Sequence, residues 1–141
     1  MRKILMKKQA GFTLIELIMV IVILSFLGVV AIPLYVDLRT EARAANEQGV
    51  VAGIRAGLLT YFVDPARGNR TSYPGDLDPG ITTWPTTCDT TNACFTGVLT
   101  QGGVTDGNWS KLSAATYRSP ASTTNVWTYT PGTGNFQKTT N

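Results

Sequence analysis

Histidine is missing from this 141-residue chain, and cysteine occurs only twice. The first absence removes the commonest general base and metal ligand, and two thiols are too few soft ligands for a closed four-coordinate zinc site. Charge is also scarce: Asp, Glu, Lys and Arg make up 15% of the residues, and residues 17–36 hold none. These absences speak against the common catalytic and metal constellations. No catalytic, cofactor-binding or metal-ligating residue is assigned, no cofactor is expected, and the chain reads as a structural protein rather than an enzyme.

Basicity is confined to one end. Of the twelve Lys and Arg, four (Arg2, Lys3, Lys7 and Lys8) precede residue 9; without them eight basic residues face nine acidic ones. The formal net charge of +3 therefore does not describe the body of the chain. An electrostatic footprint for nucleic acid is lacking, and no such partner is expected.

What is present is a run of twenty uncharged positions, Leu17 to Val36. A helix of that length spans about 30 Å, one hydrocarbon thickness. The positive residues on its N-terminal side keep that end cytoplasmic and send the rest outward. A cleaved secretory signal would have a shorter apolar run followed by an Ala-x-Ala-like site, and neither is found. Hydropathy alone fits a plain signal-anchor helix equally well.

The segment just before the run is more specific. Lys7-Lys8-Gln9-Ala10-Gly11-Phe12-Thr13-Leu14-Ile15-Glu16-Leu17 resembles the class III signal of the type IV pilin and type II secretion pseudopilin family. The resemblance covers residues 7 to about 36 closely and the rest loosely. It implies cleavage by a prepilin peptidase between Gly11 and Phe12, N-methylation of Phe12, and polymerisation into a helical filament through an inner-membrane assembly platform. The precursor would be a single-pass inner-membrane protein, and the mature subunit part of a periplasmic or extracellular filament.

Within that resemblance Glu16 has an assembly role. A carboxylate carried to mid-bilayer costs on the order of 2.5 kcal/mol or more, so it needs a partner, which the family supplies as the amino terminus of a neighbouring subunit, here Phe12. The pair would set axial register. The alternative is a carboxylate beside a helix N-terminus, favoured by the macrodipole. Pro33 removes a helical hydrogen bond and Gly28 loosens the same stretch, which predicts a bend or break around residues 29–33; the resemblance adds an extensible segment from about Ser25 to Pro33.

Beyond Pro33 the apolar positions Leu34, Leu38, Ala42, Ala45, Val50, Ile54, Leu58 and Tyr61 continue at helical spacing, and Asp64-Pro65 predicts a stop near Phe62 or Val63. Gly49, Gly53 and Gly57 share a face, read as a close-packing groove. Residues 64–94, rich in Pro, Gly, Asp and Thr, read as a long surface connection. Cys88 and Cys94 are expected to form a disulfide in an oxidising compartment. Strands are predicted at Phe95–Thr100, about Ala114–Arg118, Val126–Thr130 and Asn135–Lys138, as an antiparallel meander. Trp109, Trp127, Tyr129 and Phe136 are read as core. Asp76, Asp78, Asp89 and Asp106 are read as turn residues in preference to calcium ligands.

The expected architecture is α+β, a ladle in which a long N-terminal helix packs on a small antiparallel sheet. Its parts are a leader at 1–11, a transmembrane and filament-core helix at 12–36, an amphipathic continuation at 37–63 and a globular head at 64–141. The leading function is a structural subunit of a type IV pilus or pilus-like filament, with membrane contact before assembly. The rivals are a secretion pseudopilin and a monomeric membrane-anchored binding module. Mass spectrometry of the mature protein is expected to find methylated Phe12 at the N-terminus; an intact Met1, or a start beyond Val36, would refute the processing.

Overall fold

The computed structural model describes residues 11–66, 71–121 and 124–140; residues 1–10 of the expected leader lie outside them. The chain divides into two compact units, Met1–Arg39 and Thr40–Asn141. A single helix, α1 (Leu14–Val63), contributes residues to both. It stops where Asp64-Pro65 disfavours helical dihedrals, and the Asp64 N–H closes the last turn onto the Thr60 carbonyl at 3.0 Å.

Where a bend or break is expected around residues 29–33, α1 runs unbroken through Gly28 and Pro33. Proline holds φ near a helical value, so its disruption is limited to one missing donor and crowding of the carbonyl a turn earlier.

Five strands follow: β1 (Thr86–Thr87), β2 (Ser110–Lys111), β3 (Thr116–Arg118), β4 (Asn125–Thr130) and β5 (Asn135–Thr140). They form one sheet in the order β1-β2-β3-β4-β5, each neighbour antiparallel. The long β4–β5 hairpin pairs Tyr129 with Phe136 and turns at residues 131–134. A long apolar N-terminal helix with a small antiparallel sheet is an α+β, pilin-like fold.

The strand expected at Phe95–Thr100 does not form. Those residues make turns, held by Val98 and Leu99 N–H groups donating to the Phe95 carbonyl. Phe95 itself takes φ 62°, a region a bulky residue seldom adopts. Its ring explains the exception: it is fully buried against Trp109, Tyr117 and Phe136, with centroids 4.6–5.9 Å away. An extended backbone would carry that ring out of the aromatic cluster.

In the second unit the buried face of α1 is Glu47, Val51, Ile54 and Leu58, whose spacing of four, three and four residues makes one stripe. Ala42 and Ala45, expected on the inner face, are exposed, and Val50 and Tyr61 are only partly covered. The connection at 64–94 is more than surface, since Leu77, Asp78, Ile81 and Cys88 are buried. Cys88 and Cys94 form a disulfide with Cα atoms 5.2 Å apart. Trp109, Tyr117, Trp127, Tyr129 and Phe136 fill the core.

The three aligned glycines are not equivalent. A Cβ on Gly57 would lie 2.3 Å from the Val98 carbonyl oxygen, whereas one on Gly49 would meet nothing within 4 Å. The close-packing reading therefore holds at Gly57, where backbone meets backbone. Gly57→Ala is expected to destabilise the head by about 1–3 kcal/mol through overpacking, while Gly49→Ala should gain up to about 1 kcal/mol of helix propensity. Urea unfolding in detergent, followed by tryptophan fluorescence, measures both. Equal shifts of the same sign would dismiss the Gly57 contact.

Candidate processing and membrane-insertion segment

Gly11, Phe12 and Thr13 precede the helix in non-helical, exposed backbone, and Phe12 is 93% exposed. Helix starts at Leu14. The segment expected to be cut is thus non-helical and uncovered just before the regular structure begins.

Thr13 and Glu16 form a capping box. The Thr13 N–H and hydroxyl donate to Glu16 Oε2 at 2.8 and 2.7 Å, and the Glu16 N–H returns to the Thr13 hydroxyl at 3.4 Å. Such a pair satisfies donors that the first helical turn would otherwise leave without partners. Thr13 was overlooked as a functional residue, although Thr-x-x-Glu ahead of an apolar run is a readable signature. The carboxylate is fully exposed, so in the single chain Glu16 is a helix-start residue.

The next five turns present no polar face. Between Leu17 and Val36 every Leu, Ile, Val, Met, Phe and Tyr side chain is exposed, none by less than 43%. Ser25, the one aliphatic hydroxyl there, donates to the Ile21 carbonyl at 2.7 Å and so presents no unsatisfied donor to an apolar medium. Gly28 and Pro33 sit within this surface, with nothing within 4 Å of a Cβ at Gly28. Among the described residues, α1 is the one helix long and apolar enough to cross a membrane.

Gly11, Phe12 and Glu16 gather at the start of the first unit, whereas Cys88 and Cys94 belong to the second. The four aspartates separate in the same way by role. Asp89 accepts from the Thr91 and Asn92 N–H groups and Asp106 from that of Asn108, as turn residues do. Asp78, expected in a turn, is instead buried: its carboxylate accepts the Phe95 N–H and the Tyr117 hydroxyl, the latter at 2.7 Å.

Comparison with known proteins bears on the same segment. Residues 6–32 match the family model described as the prokaryotic N-terminal methylation motif. The chain is 45% identical over 49 residues to the type IV narrow pilus major component PilA5 of Thermus thermophilus, covering 35% of this chain and 42% of that protein. It is 36% identical over 66 residues to a fimbrial protein of Neisseria meningitidis serogroup B, covering 45% of this chain and 39% of that protein. The chain thus spans about two fifths of the length of these relatives. No solved structure matches it at a significant level. The methylation motif, the pilin relatives and the helix-plus-sheet architecture together support the type IV pilin family for this chain.

Proposed function

We propose that the chain is a structural subunit of a type IV pilus or pilus-like filament, cut by a prepilin peptidase between Gly11 and Phe12, methylated at Phe12, and polymerised through its N-terminal helix. The observation that carries this reading is the union of the methylation motif with an apolar helical surface that has no cover of its own. Lipid covers that surface before assembly; neighbouring copies of the same helix replace lipid in the filament. Both named relatives are pilus or fimbrial proteins, which favours a pilus over a secretion pseudopilin.

Cleavage converts Phe12 N into a charged amine two residues before the helix, close in sequence to the Glu16 carboxylate. In a packed bundle the incoming amine has more to gain from the carboxylate of an adjacent copy than from solvent that is no longer there. The capping box is the resting arrangement from which Glu16 would be drawn.

Glu16→Ala is expected to leave the cut at Gly11 largely intact and to depress filament yield. Removing one partner of a buried pair costs about 3–5 kcal/mol, which is about two to four decades in subunit affinity. Immunoblots of cell-bound and sheared fractions, with N-terminal sequencing of the variant, measure both. Normal filament yield from correctly cut subunits would leave Glu16 as a helix cap alone.

A further inference from the structure

Lys111, on β2, is completely buried, as are Asp78 and Tyr117 beside it. Its Nζ lies 2.7 Å from Asp76 Oδ1, 3.2 Å from the Asp78 carbonyl and 3.7 Å from Asp78 Oδ2. The same Asp76 Oδ1 accepts the Asp78 N–H at 2.9 Å. The Tyr117 ring stands 5.8 Å from Nζ, with Phe95 packed on Tyr117. An amine, a polarised carboxyl and a second, enclosed carboxyl therefore meet inside an aromatic shell.

We propose that Lys111 and Asp76 join covalently in the folded head, forming an amide between Lys111 Nζ and Asp76 Cγ, with Asp78 carrying the protons. This goes beyond the filament role and does not depend on it. One ammonium proton passes to the Asp76 carboxylate, leaving a neutral amine facing a neutral acid. The Nζ lone pair attacks Cγ and the C–N bond forms as the C=O electrons move onto oxygen. Collapse of that adduct breaks the bond from Cγ to the hydroxyl oxygen. A second proton, relayed from nitrogen by Asp78, completes a water molecule, and the amide keeps the third. Asp78 ends in its starting protonation state, and no oxidant or other reactant is consumed.

Three features favour the reaction over a lasting ion pair. Lys111 is completely buried, and amide formation removes its charge together with that of Asp76. Fixed approach of amine and carboxyl replaces a bimolecular encounter by an intramolecular one. Asp76 is 31% exposed, which gives the departing water an exit. Burial also raises the Asp78 carboxyl above its ordinary value of 3.8, against the opposing pull of the Tyr117 hydroxyl, Lys111 and the Phe95 N–H, as suits a group that holds a proton between transfers.

The test is peptide mapping of the full-length protein purified from membranes and reduced after digestion conditions are set. Trypsin cuts after a free lysine. A bonded Lys111 resists, so Thr71–Arg118 is expected to survive as one peptide, lighter than its sequence by one water. Lys111→Arg and Asp76→Ala should each restore the full mass. Asp78→Asn should slow bond formation by roughly a hundredfold or more, with the protected Cys88–Cys94 bond reporting that the head has folded. Full mass with complete cleavage after Lys111 in wild-type protein overturns the proposal, as does a water loss that maps to a succinimide at Asp106-Gly107. Bond formation at an unchanged rate in Asp78→Asn overturns the role given to Asp78.

Discussion

From Leu17 to Val36 α1 displays apolar side chains around its whole circumference, and that surface is the constraint on which the rest depends. At roughly 25 cal/mol per Å² of apolar surface, its exposure to water is too unfavourable to persist, and no other part of the described chain covers it. The segment therefore calls for an apolar surrounding. A cap that starts it and a hydroxyl that folds back on its own carbonyl serve the same end: a helix that meets an apolar surrounding with those polar groups already bonded.

The head solves a different problem. It is too small to be closed by aliphatic residues alone, and it draws buried carboxylates into service. Glu47 lies on the inner stripe of α1 because the Ser119 hydroxyl donates to one of its oxygens and Lys138 Nζ stands 3.0 Å from the other. Asp78 ties the segment after the helix to the Phe95 turn and to β3. Burial further raises the hydroxyl of Tyr117, and that of Tyr129 to about 12, so both remain hydrogen-bond donors at any physiological pH. Tyr129 uses its hydroxyl on the Pro74 carbonyl at 2.6 Å.

Much of this was legible in the residues. The motif at Lys7–Leu17, the length of the uncharged run, the stop at Asp64-Pro65 and the β4–β5 hairpin each rest on a local rule, and local rules survive translation into structure. What was missed depends on distant partners. Glu47 sits on the buried stripe although it is charged, because of partners 72 and 91 positions away. Phe95–Thr100 looks like a strand by composition, but its first ring is claimed by a cluster assembled from Trp109, just before β2, and from β3 and β5. β1 and β2 have two residues each, below the length at which alternation can be read. Asp78 looked like a turn residue because Pro79-Gly80 follows it.

The strands are paired in the order in which they occur, so each joins the edge left by the one before, and no connection must be threaded past another. Such nearest-neighbour pairing keeps loop-closure entropy small and favours rapid folding. It also makes completion sequential. Phe136, which stacks on Trp127 at 5.3 Å, Lys138, which meets Glu47, and the Phe136 carbonyl, which accepts Arg55 at 3.0 Å, all belong to the last strand. A chain delivered across a membrane from its anchored end would hold an unfinished sheet with an open edge until β5 arrives, and would close its aromatic core and latch its helix in one late event. Closure of the head thereby reports on its own length: without β5 the edge of β4 stays open, the aromatic cluster lacks Phe136, and α1 loses its contacts to Phe136 and Lys138.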